Sequence, residues 1–175
     1  MEFAYAKETD YYVYQEIGTA GVLNATATTE DKDGLLSYIS SAAAAIYKAS
    51  LGFARNIVVS PEAWAKIMSY NDGGRPIYIA SNPQNSGGSL AVNSVRGSVA
   101  GLDLYVDRQI TATGGTGLGD YSMCVLNPEG YTWYESPRFQ LRTNVNSDGT
   151  IDLLYYGYGA LAAKVGASAN WFNKS

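Results

Sequence analysis

The sequence predicts an α+β fold in which helices come first and strands follow. Helical periodicity dominates about the first 70 residues, and strand-like segments fill most of the chain after Pro76. With 175 residues the chain is long enough for one domain with a buried core. Charged residues make up only 16% of it and tyrosine occurs 15 times, which is typical of surfaces that pack against another protein.

The composition argues against several classes of function. The net charge is −4 and the lysines are scattered, whereas a protein that grips nucleic acid normally has a basic patch. No apolar run is long enough to span a bilayer. Histidine is absent and Cys124 is the single cysteine, which excludes Ser-His-Asp and Cys-His catalysis and disfavours zinc. We therefore expect a buried, reduced thiol, no enzyme activity, no cofactor, no metal, no sequence-specific nucleic-acid partner and no membrane partner.

The first two helices are predicted from periodicity and end signals. The first covers residues 2–17 and is stopped by Gly18, with no N-cap before it. The second follows an N-cap at Asp33 and runs to Gly52. Its apolar spacing predicts a core-directed face made of Leu35, Leu36, Ile39, Ala43, Ile46, Tyr47 and Ser50.

The stretch "NIVVSPEAWAKI" predicts a buried strand followed by a third helix. Ser60 can cap this helix and Pro61 suits its first position. The residues expected to point inward are Trp64, Ala65, Ile67 and Met68. A nucleophile elbow at Ser60 is the alternative, but the glycines of G-x-S-x-G and any histidine are missing. "NDGG" then predicts a turn that needs positive φ.

The second half of the chain predicts strands and hairpins. Leu102 and Leu104 alternate with polar residues, as in a half-buried strand, and Asp148-Gly149 is the firmest hairpin signal. Asp103 and Asp107 share one strand face but lie about 13 Å apart, too far for a glycosidase pair. "GGTGLG", residues 114–119, lacks the Gly-Lys-Ser/Thr of a phosphate loop and is expected to be a mobile loop.

The order of several segments along the chain carries further information. The segments are "AYAKETD", "LLSYISSAAAAIYKASLGFARNIVVSPEAWAKI", "DGGRPIY", "NPQNSGG", "SVRGSVAGLDLYVD", "MCVLNPEGYTWYESPRFQLRTN" and "YYGYGALAAKVG". In this order and at these lengths they resemble the C-terminal portion of tailed-phage major capsid proteins of the Hong Kong 97-type fold. The resemblance covers essentially the whole chain and points to phages and prophages of actinobacteria.

The resemblance implies an axial domain with a mixed sheet flanked by helices, plus part of the peripheral domain. Residues 1–19 would be the end of the spine helix, residues 20–150 the axial domain, and residues 151–175 the return strand and C-terminus of the peripheral domain. The family's N-terminal arm, extended loop and start of the spine helix have no counterpart here, so we expect a truncated subunit. No crosslinking lysine can be assigned.

Two groups of residues are candidates for contacts between subunits. The polar, glycine-rich loops are expected to meet around the capsomer axis through Asn82, Gln84, Asn85, Gly87, Gly88, Gly114, Gly115 and Gly117. The aromatic residues are expected to pack either in the core or at a subunit boundary. They are Trp64, Tyr105, Trp133, Tyr134, Tyr155, Tyr156 and Tyr158.

The function implied by the resemblance is that of a structural subunit in the icosahedral head of a double-stranded DNA phage or prophage. Its partners would be copies of itself in pentameric and hexameric capsomers, and further scaffold, protease or decoration proteins. The first 15 residues lack the features of a signal peptide, so we expect assembly in the host cytoplasm and a final location in the virion. The alternatives are an encapsulin-like shell protein and a carbohydrate-binding β-rich module, whose exposed aromatics would stack on sugar rings.

Overall fold

The computed structural model describes residues 2–80, 96–110, 118–137, 139–145 and 151–174. The helices are α1 (Glu2–Ala20), α2 (Lys32–Ser50) and α3 (Pro61–Ser69). The strands are β1 (Val22–Leu23), β2 (Asn56–Val59), β3 (Asn71–Asp72), β4 (Arg75–Pro76), β5 (Tyr78–Ala80), β6 (Arg96–Val99), β7 (Leu102–Val106), β8 (Met123–Leu126), β9 (Tyr131–Glu135), β10 (Phe139–Val145), β11 (Ile151–Tyr156), β12 (Gly159–Ala163) and β13 (Ala169–Trp171). These elements confirm the predicted α+β class. None of the described helices combines the length and apolarity needed to cross a bilayer.

Seven of the strands form one mixed sheet in the order β1-β13-β8-β2-β7-β6-β5. Strand β2 pairs in parallel with β7 on one side and antiparallel with β8 on the other. Strand β13, close to the C-terminus, lies between β1 and β8. The sheet therefore brings the first and last described strands of the chain side by side.

Helices α2 and α3 cover one face of this sheet. Ile57 and Val59 of β2 and Leu104 of β7 point to this face because side chains alternate along a strand. The helix residues buried against them are Leu35, Tyr38, Ile39, Ala42, Ile46, Ala63 and Ile67. This layer is the main core.

Helix α1 covers the opposite face. Tyr14 and Ile17 of α1 pack on a second cluster that contains Cys124, Leu126 and Trp171. Strand β8 is therefore buried on both faces, which explains why "MCVL" is uninterruptedly apolar instead of alternating. The predicted burial of Cys124 is confirmed.

Helix α1 ends later than the sequence predicts. The predicted stop, Gly18, lies inside the helix, and a Cβ added there would meet nothing within 4 Å. Gly21 is the first residue after the helix. A Cβ at this position would lie 2.7 Å from both the Ile17 carbonyl oxygen and Trp171 Nε1, so the tight packing there requires glycine. The prediction that the helix stops at Gly18 was therefore wrong. Of these two glycines, only Gly21 lies where a larger residue would not fit.

The N-cap of α2 also differs from the prediction. Asp31, not Asp33, has extended backbone and accepts a hydrogen bond from the Gly34 N–H at 2.6 Å. Asp33 lies in the first turn of the helix. Gly34 permits this cap because a Cβ there would collide with the Thr29 carbonyl oxygen.

The corner between β2 and α3 forms as predicted, with one exception. Ser60 Oγ accepts from the Ala63 N–H at 3.1 Å, and Pro61 is the first helical residue. Three of the four residues predicted to point inward pack on the core, namely Trp64, Ile67 and Met68. Ala65 was wrong because it is exposed, and Ala63 takes the buried position.

The remaining strands form two-stranded ribbons outside the sheet: β3–β4, β9–β12 and β10–β11. Gly73 and Gly74 have the predicted positive φ values, 57° and 83°, in the turn of the first ribbon. The antiparallel pairing of Val145 with Ile151 confirms a hairpin where one is predicted, while its turn at 148–149 lies outside the described residues.

Candidate subunit-contact surface

The described residues do not form an identifiable catalytic centre. No group of three His, Cys, Asp or Glu side chains converges on a metal site among them. Burial raises the pKa of Cys124, so its thiol stays neutral and is a poor nucleophile. Asp107 accepts a hydrogen bond from the Gln109 N–H at 2.8 Å, which gives its carboxylate a role in a turn.

A cavity of about 390 Å³ lies between α1 and the sheet face that α1 covers. Its walls are mostly apolar, with Tyr105 and Trp171 among them, and Asp10 and Asp107 are its acidic residues. Burial, and next the neighbouring Asp107, raises the pKa of Asp10, while Arg108 has the opposite effect. The cavity is a gap in the packing of a helix on a sheet.

A groove runs between α1 and the β9–β12 ribbon. We call it the tyrosine groove; its lining includes Tyr5, Glu8, Tyr12, Trp133 and Tyr158, and its volume is about 280 Å³. Glu135 of β9 accepts hydrogen bonds from two of these lining residues, from Tyr5 Oη at 3.2 Å and from Trp133 Nε1 at 3.4 Å. These bonds orient two of the aromatic rings that form the groove.

Two glycines let the ribbon approach these rings. A Cβ at Gly157 would lie 2.7 Å from Tyr5 Oη, and a Cβ at Gly159 would collide with the Trp133 ring. Tyr158, between them, is 71% exposed, and Tyr134 on the neighbouring strand is 60% exposed. The sequence Gly-Tyr-Gly therefore presents a tyrosine to solvent while its neighbours pack closely.

A second apolar surface lies where α2 ends. We call it the α2 knob, and it consists of Tyr47, Leu51 and Phe53, all of them exposed. The rings of Tyr47 and Phe53 stack with centroids 4.9 Å apart. Next to the knob Arg55 Nη2 and Glu129 Oε1 form an exposed ion pair at 2.8 Å.

The structure places the predicted aromatic residues in different parts of the molecule. Trp64 packs against the main core, with its buried Nε1 lacking a hydrogen-bond partner among the described residues. Tyr105 lines the cavity beneath α1, whereas Trp133 and Tyr158 line the tyrosine groove, with Tyr134 next to it. The side chains of Tyr155 and Tyr156 lie outside the described residues. A role of these aromatics at a subunit boundary stays a prediction.

The predicted axis-loop residues all lie outside the described residues. They are Asn82, Gln84, Asn85, Gly87, Gly88, Gly114, Gly115 and Gly117. The α2 knob, in contrast, was missed by the sequence reasoning. Tyr47 was placed on the core face, but the buried stripe of α2 runs through Ile46 and leaves Tyr47 exposed. The signal that could have revealed the knob is "LGF", two large apolar residues around a glycine just past a helix end.

Comparisons with known proteins assign the fold. A chain of Mycobacterium phage Che8 superposes with a TM-score of 0.72 at 16% identity, covering 99% of this chain and 61% of that chain. The capsid of an empty GTA particle, computed with C5 symmetry, gives 0.59 at 13% identity, covering 89% and 49%. The capsid of the native GTA particle gives 0.54 at 13% identity with the same coverage. These likenesses show a phage-capsid fold, in agreement with the predicted Hong Kong 97-type.

The chain belongs to the phage capsid protein family, whose model matches residues 1–171. This confirms the family that the order of sequence segments suggested. No curated protein matches the chain. The chain spans about three fifths of the length of the phage Che8 chain and about half that of the GTA capsid chains. Neither the encapsulin nor the carbohydrate-binding alternative is favoured by these findings.

Proposed function

We propose that this chain is a structural subunit of a phage or prophage head and acts by associating with further copies of itself. The observation that carries the proposal is the phage capsid family match over residues 1–171. Exposed tyrosines at the groove and apolar residues at the knob support it, because such residues are enriched where proteins meet. The proposal places the chain in the virion capsid after assembly in the host cytoplasm, without a catalytic role.

The domain division is part of this proposal. Residues 1–19 would end the spine helix, residues 20–150 would form the axial domain, and residues 151–175 would return to the peripheral domain. Helix α1 packs on the opposite sheet face from α2 and α3, through a core cluster of its own. In the third segment, β11 and β12 lie in ribbons outside the seven-stranded sheet, and only the last strand, β13, joins that sheet beside β8.

The loops at residues 82–88 and 114–117 are proposed to meet around the capsomer axis. The first of them connects β5, which is an edge strand of the seven-stranded sheet, to β6. A sheet edge that faces a neighbouring copy is protected from unwanted pairing. Small uncharged side chains also allow several copies to converge without repulsion between like charges. Scaffold, protease and decoration proteins are further proposed partners.

Negative-stain electron microscopy of the purified chain at rising concentration tests the proposal. We expect pentameric or hexameric rings, or closed shells, to become more frequent as the concentration rises from micromolar to millimolar. Isolated particles of monomer size at every concentration would contradict self-association of this chain.

A further inference from the structure

The α2 knob exposes an unusual amount of fixed apolar surface. Leu51 is 80% exposed and Phe53 is 73% exposed. The Phe53 and Tyr47 rings lie 4.9 Å apart with 19° between their planes, so each restrains the other. A rigid apolar surface of this kind on a soluble domain indicates a site of interaction.

The backbone at Leu51 supplies a second observation. Its φ is 56°, in the left-handed region that a helix C-cap normally fills with glycine. A side chain in this conformation costs roughly 1–2 kcal/mol. Burial within the chain does not offset this cost, because Leu51 is almost fully exposed. The conformation is held by the helix cap, in which the Leu51 N–H donates to the Tyr47 carbonyl oxygen at 2.9 Å. The cap therefore fixes a large apolar side chain on the surface, where it adds to the apolar area of the knob.

Charge distinguishes the α2 knob from the tyrosine groove. Lys48 lies within the knob region, residues 47–55, which contains no acidic residue, while the charge of Arg55 is balanced by its ion pair with Glu129. Helix α1, which forms one wall of the groove, contains four acidic residues against one lysine. One of the acidic residues, Glu8, lines the groove directly. Surfaces of opposite charge attract each other, whereas two knobs or two grooves would repel.

We propose that the α2 knob of one copy docks in the tyrosine groove of a neighbouring copy, with Lys48 facing Glu8. The inference rests on the proposed function and names the two surfaces through which copies associate. Leu51 and Phe53 supply apolar area, and the exposed Tyr12 and Tyr158 receive it. Because the two surfaces differ, the contact is head-to-tail and can repeat around a ring.

Disulfide trapping tests the contact directly. Unlabelled Ala49→Cys chain, which keeps the side chains of the knob, is mixed with ¹⁵N-labelled Ala160→Cys chain, whose exposed cysteine lies on β12 next to the groove. The crosslinked dimers formed under mild oxidation are identified by mass spectrometry. We expect the mixed dimer to dominate over both like-with-like dimers. Arg75→Cys, on an exposed ribbon, replaces either partner as the control for random collision. The native Cys124 is buried and does not compete.

A charge exchange gives an independent readout. Lys48→Glu and Glu8→Lys should each weaken self-association about fivefold to tenfold, because each creates like-charged surfaces. Mixing the two variants should restore association, since every knob then meets a groove of opposite charge. Arg75→Glu should leave association unchanged.

The outcomes separate this inference from the proposed function. Dominant like-with-like dimers, absence of any crosslink, or failure of the mixed charge variants to recover would overturn the knob-and-groove contact. Sedimentation of the unchanged chain then decides the wider proposal. Association that persists without the contact leaves self-assembly standing through another surface, whereas a monomer at every concentration overturns both.

Discussion

At the scale of single residues, Tyr38 shows how one polar atom joins the helical layer to the sheet. Its side chain is fully buried. Its hydroxyl donates a hydrogen bond to the Asn170 carbonyl oxygen at 2.6 Å and accepts one from the Val125 N–H at 3.1 Å. One phenol therefore connects α2 with both β8 and β13, while its ring meets Phe172 edge-on.

Replacing Tyr38 with phenylalanine should lower the free energy of unfolding by about 1–3 kcal/mol, because two buried backbone groups lose a partner. Urea unfolding followed by tryptophan fluorescence measures the change. Tyr12→Phe, at an exposed position, is the control and should change stability by less than about 0.5 kcal/mol. Equal stability of the two variants would show that the hydroxyl of Tyr38 is not needed.

The same substitution should have opposite effects at two helical glycines. Gly18→Ala should raise the free energy of unfolding by about 0.5–1 kcal/mol, because the site is open and alanine favours the helix. Gly34→Ala should lower it by about 1–3 kcal/mol, because the new Cβ collides with the Thr29 carbonyl oxygen. Thermal unfolding of both variants measures the difference. Changes of the same sign at both sites would contradict the packing around Gly34.

At the scale of elements, Glu30 joins three parts of the chain. Its carboxylate forms ion pairs with Lys66 of α3, at 2.5 Å, and with Lys174 near the C-terminus. Tyr70 Oη donates to the Glu30 carbonyl oxygen at 2.9 Å. The hydrogen bond from Lys174, followed by that from Lys66, lowers the pKa of Glu30.

This lowered pKa predicts how stability depends on acidity. The contribution of Glu30 is present above its unfolded pKa and is lost as the pH falls through its folded pKa. Glu30→Gln should therefore cost up to about 1 kcal/mol at neutral pH and little in acid. Urea unfolding at both pH values measures this, and Glu16→Gln, at an exposed position of α1, is the control. An equal cost at both pH values would rule out the ion pairs as the cause.

The sequence predicts those elements whose signals are local. Ser60 followed by Pro61 marks the start of α3 unambiguously, because cap and first-turn chemistry reside in adjacent residues. The end of α1 depends on a distant contact instead. Gly21 is selected by Trp171, 150 positions further along the chain, and this contact cannot be read from periodicity. The position of β13 beside β8 has the same origin.

At the scale of the whole molecule, one sheet lies between helices on both faces, and three ionisable groups in or next to these layers resist ionisation. Burial raises the pKa of Tyr38, of Cys124 and of Tyr131, the last to about 12. Each group therefore stabilises the fold fully below its unfolded pKa and loses that contribution as the pH rises through its folded pKa.

Alkaline solution should therefore destabilise the protein. The urea concentration at which half of the protein is unfolded should decrease as the pH rises from about 8 to about 10.5, the range in which unfolded cysteine and tyrosine ionise. Tyr131→Phe should make this fall less steep. A midpoint independent of pH over this range would contradict the burial of these groups.

The candidate surfaces show the limits of sequence reasoning most clearly. Tyr134 and Tyr158 were predicted as core or interface residues, and only the folded ribbon shows that they are exposed. Tyr47 was assigned to the core because its spacing from Ala43 and Ser50 suits a helix face. The rotation of α2 on the sheet, which sets the buried stripe, is a tertiary property.

The central claim is that copies of this chain associate through surfaces of the fold itself. Sedimentation equilibrium of the unchanged chain beside Leu51→Gly tests it most directly, since glycine suits the left-handed backbone and should leave the monomer at least as stable. We predict that the average mass of the unchanged chain rises with concentration and that Leu51→Gly shifts this rise to concentrations about tenfold higher or more. A chain that remains monomeric up to millimolar concentration would contradict the account.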